Sequence, residues 1–191
     1  MATEIELKAH VDDPESLRKI IASLGIFSGS FEKSDVYWQN PNEAVAPGGF
    51  PAYGVRIRRE TRASPNGESA QTVATYKTRE TRGGIEVNDE REFTVSDAGN
   101  FEELLRRLGL VPGIRKCKRG WAWNCEGITA ELAEVSGIGW FAELEILAGE
   151  DTPEIVASAR SRLLAFLRGL GIGEDKIETR PYTVMVQESR F

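Results

Sequence analysis

Two similar stretches, Glu4-Ile5-Glu6-Leu7-Lys8-Ala9 and Glu143-Leu144-Glu145-Ile146-Leu147-Ala148, lie towards the two ends of this 191-residue chain. In both copies an Asp, a Pro and a Glu follow at the same spacing, and the Pro comes ten residues after the first Glu. In a β-strand, side chains at i and i+2 point to one face. Each copy therefore predicts a strand with two carboxylates on one face and aliphatic side chains on the other.

Together the two copies would place four carboxylates on the lining of one sheet. Burying carboxylates is costly unless they are paired or bind a cation. Oxygen-rich carboxylate sites suit hard divalent cations such as Mg²⁺ or Mn²⁺. The repeat therefore predicts a metal site between the two copies.

Composition and charge are those of a soluble globular protein of one domain, with 40% hydrophobic residues, 28% charged residues and a net charge of -6. The acidic balance argues against a general nucleic-acid or membrane-surface binder, and no apolar run approaches the roughly 20 residues of a membrane span. The early charges Glu4, Glu6 and Lys8 argue against a signal peptide, so a cytoplasmic location with Cys117 and Cys125 as reduced thiols is expected.

Catalysis that depends on histidine is poorly supported, because His10 is the single histidine of the chain. With no cysteine cluster beside it, a zinc site is not expected. The presence of a single histidine also argues against a Ser-His or Cys-His catalytic arrangement.

Three helices are predicted from capping residues and apolar periodicity. The first follows Asp13 as N-cap and Pro14 as first helical residue, and it ends at Gly25. The second begins near Ser96 or Asp97 and ends at Gly109, and the third begins at Thr152-Pro153 and ends at Gly171. The pattern between the helices predicts eight strands, at 3–11, 34–39, 53–61, 71–78, 84–95, 114–123, 127–136 and 140–147.

Glycine-rich and proline-rich segments separate these strands. Turns are predicted at Pro65-Asn66-Gly67, at Gly83-Gly84, from Asn124 to Gly127 and from Gly137 to Gly139, and Asn40 to Pro51 is predicted to be a mobile loop. A strand followed by a helix stands at both ends with matching sequence. This organisation indicates a pseudo-symmetric closed structure.

Several predicted strands carry one sign of charge on one face. Arg56 and Arg58 alternate with Val55 and Ile57. For one strand alone, a solvated outer face is an adequate explanation. Like charges on one face repel, however, so the segregation of signs over many strands favours a closed barrel with an ionic lining and an aliphatic exterior. Further same-face pairs of one sign are Lys77 with Arg79, Lys116 with Lys118, and Glu90 with Glu92.

Basic and acidic patches on one lining predict an anion with several oxygens beside a divalent cation, as in a phosphate chain. Metal-assisted phosphoryl or nucleotidyl transfer follows as the reaction class. Because Gly-Lys-Ser/Thr is absent, a P-loop enzyme is excluded.

These motifs, in their order, resemble the CYTH superfamily, the triphosphate tunnel metalloenzymes, and the resemblance covers essentially the whole chain. Any one motif is weak evidence, whereas six in the right order are strong. The matching segments are Glu4-Ile5-Glu6-Leu7-Lys8 (ExExK), Arg56-Ile57-Arg58 (RxR), Thr75-Tyr76-Lys77 (TYK), Glu90-Arg91-Glu92 (the acidic strand), Lys116-Cys117-Lys118 before Trp121 (a basic KxR strand), and Gly137 to Glu145 (LGxFxExE).

The resemblance implies an α+β fold in a single domain, 1–191: a closed antiparallel eight-stranded β-barrel, or tunnel, with helices packed outside and a pseudo-two-fold internal repeat. It implies Glu4, Glu6, Glu143 and Glu145 near Mg²⁺ or Mn²⁺. It implies that Lys8, Arg56, Arg58, Lys77, Lys116 and Lys118 bind the triphosphate.

Two positions depart from the family pattern. Where many members have Asp in a Leu-Asp-x-Val stretch, this chain has Ala133. Glu131, two residues earlier on the same strand face, offers a replacement; alternatively, one acidic function is lost and the activity is altered or absent. Lys118 in an Arg position keeps the charge but loses bidentate geometry.

The expected activity is that of a class IV adenylate cyclase, which converts ATP to cyclic AMP and pyrophosphate. The segments Ser34 to Trp38 and Glu174 to Tyr182 resemble that branch more closely. Glu90, Glu92 and Glu131 are candidates to position the nucleophile or accept its proton, and the alternative that they only balance the basic strands stays open.

Two other functions remain open at this point. One is hydrolysis of a triphosphate, either tripolyphosphate or an organic compound such as thiamine triphosphate, and the other is non-catalytic binding of nucleotide or polyphosphate. The expected partner is a small triphosphate-containing molecule, with no nucleic acid and no membrane, and the protein is expected to be a monomer or a homodimer.

Overall fold

The computed structural model describes residues 3–42, 55–82 and 85–190, with their side chains except at 77–82 and 88–90. Within these ranges the chain forms eight strands and four α-helices, and a short 3-10 helix, Glu174–Lys176, precedes the last one. The strands are β1 Thr3–His10, β2 Ile26–Gln39, β3 Val55–Ser64, β4 Gly67–Arg82, β5 Ile85–Thr94, β6 Val111–Cys125, β7 Ile128–Val135 and β8 Gly139–Ala148. The helices are α1 Pro14–Leu24, α2 Ala98–Arg107, α3 Pro153–Gly169 and α4 Tyr182–Glu188.

The three predicted helices are confirmed, and side-chain caps fix their first turns. Asp13 accepts a hydrogen bond from the backbone N–H of Ser16 at 3.0 Å, and Asp97 accepts one from Asn100 at 2.9 Å. Such caps satisfy donors that the first helical turn leaves without a partner. At α3 the hydroxyl of Thr152 has the same role, and a proline follows it as in α1.

All strand pairs are antiparallel, in the order β1-β5-β4-β3-β2-β6-β7-β8, and β1 pairs with β8 as well as with β5. The α+β class and a curled antiparallel sheet with helices outside are thus confirmed. No helix in the described ranges is both long and apolar enough to cross a membrane.

The main core lies between the outer face of the sheet and two helices. Ile5 and Leu7 of β1 pack in one buried cluster with Ile21 of α1 and Leu163 of α3. Each fully buried aliphatic side chain contributes roughly 1.5–3 kcal/mol. In a smaller cluster, Leu105 of α2 packs on the outer face of β2 and β3. Since apolar residues alternate along these strands, the polar residues between them lie on the opposite face.

The internal repeat brings its two copies side by side. In the β1–β8 ladder Glu6 pairs with Glu145, and these residues hold equivalent positions in the two copies. The local two-fold axis that relates the two copies therefore passes between these two residues. Carboxylates that are far apart in the sequence become neighbours as a result.

Some predicted boundaries differ from those observed. β2 begins at Ile26, eight residues earlier than predicted, because an irregularity near Gly29 (φ +138°) shifts the register and interrupts the simple alternation. Helix α4, of seven residues, was not predicted from the sequence. The predicted Gly83-Gly84 turn and the predicted loop beyond Asn42 lie outside the described residues.

Candidate functional site

Charged side chains converge on the sheet face that the helices do not cover. Lys118 of β6 contacts Glu143 of β8 at 2.5 Å, and Lys33 of β2 contacts Glu131 of β7 at 2.7 Å, although one strand lies between the members of each pair. Neighbouring strands lie about 4.8 Å apart, so the two side chains of each pair reach over the strand between them. The sheet curls around this face, because β8 pairs with β1. We call this the concave face.

Three carboxylates form a compact group on the concave face. One oxygen from each of Glu4, Glu6 and Glu145 lies within 4.8 Å of the others, and all three residues are partly buried. Alternation along β1 provides the first two, and the pairing of Glu6 with Glu145 provides the third. We call this group the carboxylate trio; its oxygen donors fit Mg²⁺ or Mn²⁺.

Glu143, the fourth predicted metal ligand, is not part of that group among the described residues. Its carboxylate accepts hydrogen bonds from Lys118 at 2.5 Å and from the Tyr182 hydroxyl at 2.7 Å. Burial alone would raise the pKa of Glu143, but the Lys118 ammonium outweighs it and holds the pKa below its ordinary value. Burial and the Glu143 charge raise the pKa of Tyr182, so this hydroxyl remains a donor at neutral pH.

A second cluster is centred on Asp35, which is fully buried. Arg58 donates to both of its oxygens, at 2.8 and 3.0 Å, and the Lys116 ammonium lies 3.1 Å away. Burial would raise the pKa of Asp35, but Lys116 and Arg58 outweigh it and hold the pKa far below its usual range. Asp35 therefore orients two of the predicted triphosphate-binding residues.

A third cluster is centred on Glu131. Its two oxygens accept from Lys33 and from Lys118, each at 2.7 Å. Burial would raise its pKa, yet the two ammonium groups hold the pKa of Glu131 well below its ordinary value. Glu131 is therefore an ionised counter-ion at neutral pH.

Two further basic residues of the concave face also have carboxylate partners. Lys8 lies 2.7 Å from Glu86 in a buried pair. Arg56 donates to Glu92 and to Thr75, each at 2.9 Å, and the Thr75 hydroxyl donates to Glu92 at 2.7 Å.

The remaining predicted site residues, Lys77 and Glu90, face each other across the β4–β5 ladder. Their side chains lie outside the described ones, so their predicted roles stay predictions.

Ala133, where the family pattern has Asp, is fully buried and packs with Phe31 and Ala122. The phenyl ring is flanked by the ammonium of Lys33, 4.3 Å from its centroid. The departure therefore leaves a small apolar contact on the concave face in place of a carboxylate.

The sequence analysis missed several residues of the concave face. Lys33 was missed because the predicted strand began at residue 34; Asp35 was noted only as part of a resemblance. Glu86 lies an even number of residues from Glu90 and Glu92 on the same strand, so all three share one face, and this alternation could have identified it. Tyr182 was likewise noted only as part of a resemblance, and no local pattern places it at the site, because it reaches the sheet from α4, a helix of only seven residues.

The chain is similar to known proteins in sequence and in fold. A model of the CYTH domain family matches residues 2–182. The PH1819 protein of Pyrococcus horikoshii OT3 has 26% identity and a TM-score of 0.84, covering 98% of this chain and 99% of that one. Adenylate cyclase CyaB of Aeromonas hydrophila is 23% identical over 188 residues, 97% of this chain and 90% of that protein.

A second solved structure is similar in fold. HpAC1 of Hippeastrum, for which a dominant triphosphatase activity is described, has 18% identity and a TM-score of 0.53, covering 90% of this chain and 89% of that one. Because the family model spans almost all of the sequence, the chain belongs to the CYTH domain family.

Proposed function

We propose that this protein is a metal-dependent enzyme that acts on a triphosphate, and that it converts ATP to cyclic AMP and pyrophosphate as a class IV adenylate cyclase. The observation that carries the proposal is the carboxylate trio on the same concave face as the basic clusters around Asp35 and Glu131. The naming of the Aeromonas relative as an adenylate cyclase supports this choice of reaction.

We also infer that the sheet closes into an eight-stranded tunnel. Support comes from the pairing of β8 with β1, which leaves every strand with a neighbour on both sides. A closed lining would keep the triphosphate away from bulk water, where its charge would be screened.

Glu4, Glu6 and Glu145 would hold Mg²⁺ or Mn²⁺, with Glu143 close by on the same strand as Glu145. When bound, such a cation neutralises charge that develops on the phosphate oxygens. Hard cations of this kind prefer the oxygen ligands that these side chains provide.

The basic residues would bind the phosphate chain in line with the attacking oxygen. Arg58 offers the guanidinium N–H groups that do not bind Asp35, and Lys116 offers a point charge; both are held in place by Asp35. Oriented donors of this kind stabilise the charge of the transition state. In the cyclase reaction, the ribose 3'-oxygen bonds to the α-phosphorus and the bond to the β-phosphate breaks, releasing pyrophosphate.

The proton of the 3'-hydroxyl needs an acceptor. Glu131 is a weak candidate, because both oxygens already accept from ammonium groups and its pKa is lowered. Glu92 is more exposed and accepts from Arg56 and Thr75, which would orient it towards the nucleophile. We therefore assign to Glu92 the role of positioning the 3'-hydroxyl and accepting its proton, and to Glu131 that of charge balance.

Hydrolysis of a triphosphate is the second candidate function, favoured by the activity described for HpAC1. Water would then attack a terminal phosphorus, and the same basic residues would hold the chain. The two reactions differ in the nucleophile and need no change in the residues that bind the phosphates.

The deciding experiment is product analysis after incubation with ATP or with tripolyphosphate, each with Mg²⁺ or Mn²⁺. Cyclic AMP with pyrophosphate is the expected result. Orthophosphate release, above all from tripolyphosphate, would show that the protein is a triphosphatase rather than a cyclase. Binding without turnover would overturn both and leave a binding protein.

A further inference from the structure

Lys33 is a buried basic residue of the concave face that neither reaction described above uses. Burial lowers the pKa of its side chain, and the Glu131 carboxylate opposes that shift. The Lys33 side chain is 8% exposed, and its ammonium lies 2.7 Å from one oxygen of Glu131. The other oxygen accepts from Lys118 at the same distance. Glu131 thus joins two ammonium groups through separate oxygens.

The two ammonium groups come from residues directly opposite each other, since Lys33 pairs with Lys118 in the β2–β6 ladder. Like charges in such positions repel. The carboxylate between them removes the repulsion.

The two lysines have different surroundings. Lys118 also contacts Glu143 at 2.5 Å, so it touches carboxylates on two strands. Lys33 lies nearer to the ring of Phe31, which packs against Ala122 and Ala133; its ammonium is 4.3 Å from the ring centroid, and that of Lys118 is 5.5 Å away. Lys118 is the predicted phosphate ligand, whereas Lys33 is held by the apolar cluster beneath it.

A phosphate oxygen that binds Lys118 competes with Glu131 for the same ammonium. If Glu131 had no second cation, it would stay on Lys118, because a buried carboxylate without a counter-ion is strongly unfavourable. With Lys33 beside it, Glu131 keeps one ammonium partner when Lys118 binds the phosphate oxygen instead.

We propose that Lys33 is a positioning residue that retains Glu131 and thereby releases Lys118 to bind a phosphate oxygen of the substrate. This inference rests on the proposed triphosphate site. The charged groups around Glu131 are Lys33 of β2, Arg58 of β3, Lys118 of β6 and Glu143 of β8, and the neutral hydroxyl of Tyr182 of α4 lies beside them.

The test is calorimetric binding of Mn²⁺ with tripolyphosphate to the wild type, Lys33→Arg, Lys33→Met and the double variant Lys33→Met/Glu131→Gln. Lys33→Met should weaken binding by about tenfold or more, the equivalent of one pKa unit of lost interaction. Lys33→Arg should stay close to the wild type, because it keeps the cation.

The double variant separates positioning from direct contact. Without the Glu131 carboxylate, Glu143 alone competes with the anion for Lys118, so the double variant should bind more tightly than Lys33→Met. If affinity is not regained, Lys33 contacts the anion itself and the proposal is wrong; it is equally wrong if Lys33→Met binds like the wild type.

Two remaining outcomes are also decisive. If Lys33→Met does not fold, the double variant, which removes both buried charges, is compared with the wild type directly. Affinity within about threefold supports positioning, and a loss of about tenfold or more overturns it. If the wild type itself does not bind tripolyphosphate with Mn²⁺, the proposed function fails and the role of Lys33 fails with it.

Discussion

Asp35 is the residue on which the basic side of the site depends most directly. It is fully buried between Arg58 and Lys116, whose side chains are 15% and 7% exposed. In Asp35→Asn these two cations lose their shared counter-ion. Removing one partner of a buried ion pair typically costs about 3–5 kcal/mol, so we expect a loss of that size in the free energy of unfolding, measured by urea titration.

Asp12→Asn is the matched control. Asp12 pairs with Lys176 at 2.8 Å, but its side chain is 79% exposed. Exposed pairs contribute about 0–1 kcal/mol. A loss in Asp35→Asn as small as that of the control would mean that the Asp35 cluster is not a source of stability.

The same residue predicts a pH dependence. The pKa of Asp35 is lower in the folded protein than in the unfolded chain, where it is about 3.9. Its stabilising contribution is therefore fully present above that value and is lost as the pH falls towards the folded pKa.

In urea titrations at a series of pH values, the difference between the wild type and Asp35→Asn should be constant from about pH 7 to 5. Below about pH 4 the difference should shrink by about 1.4 kcal/mol per pH unit. A difference that is unchanged at about pH 2.5 would contradict the assignment.

The carboxylate trio predicts which residues bind the cation. Glu6→Gln and Glu145→Gln should each weaken Mn²⁺ binding in calorimetry by about tenfold or more, because each removes an anionic ligand from a close group. Glu143→Gln is the control on the same strand, since its carboxylate is engaged with Lys118 and Tyr182. If Glu143→Gln weakened Mn²⁺ binding as much, Glu143 would also be a ligand of the metal.

At this scale the sequence predicts which strands carry charge but not which charges meet. Alternation and resemblance identified Arg58, Lys116 and Lys118 as residues of one lining. Their partner Asp35 had no assigned role, because pairing on a curved sheet joins residues that are distant in sequence. Tyr182 could not be predicted for the same reason, since a short helix brings it to Glu143.

Among the elements, β6 lies close against β7 at Gly120. A Cβ built on Gly120 would lie 2.7 Å from the Cα of Ala133 and would also clash with the carbonyl oxygen of Leu132. These are backbone atoms that a side-chain rotation cannot move. Gly120→Ala would therefore force the two strands apart, next to Lys118 and Glu131.

We expect Gly120→Ala to lower the free energy of unfolding by about 1–3 kcal/mol, the usual cost of overpacking. Gly149→Ala is the control, since a Cβ there meets nothing within 4 Å, and surface substitutions usually stay within about 0.5 kcal/mol. Thermal or urea unfolding measures both. If the two variants were equally stable, the close approach of β6 and β7 would be disproved.

Elements with local signals were predicted well. Asp13 with Pro14, and Thr152 with Pro153, gave the starts of α1 and α3 because capping involves only nearby residues. The start of β2 was missed because strand pairing, rather than local pattern, extends it past Gly29 to Ile26. Helix α4 depends on contacts of Met185 and Val186 with Val135 and Phe141, which no local pattern reveals.

On the scale of the whole molecule, the concave face is almost self-neutralised. Each described basic side chain on it that we assign to the site has a carboxylate partner, so an incoming anion must displace carboxylates already in place. The pairs are Lys8 with Glu86, Lys33 with Glu131, Arg56 with Glu92, Arg58 and Lys116 with Asp35, and Lys118 with Glu131 and Glu143. A cation at the carboxylate trio would offset the displaced negative charge, so cation and anion should help each other to bind.

This mutual dependence gives the last prediction. Tripolyphosphate alone and Mn²⁺ alone should each raise the melting temperature only slightly, whereas both together should raise it by more than the sum. At about 100 times the dissociation constant a ligand adds about 2.7 kcal/mol, which is roughly 5–10 °C for a chain of this size. Differential scanning fluorimetry measures all four conditions.

Glu145→Gln is the control, because it meets the same complexes of Mn²⁺ and tripolyphosphate in solution but lacks one member of the trio. It should lose the excess shift while responding to tripolyphosphate alone as the wild type does. If the two ligands act additively on the wild type, the carboxylates freed by the anion need no cation, and the charge balance of the concave face does not couple the two sites.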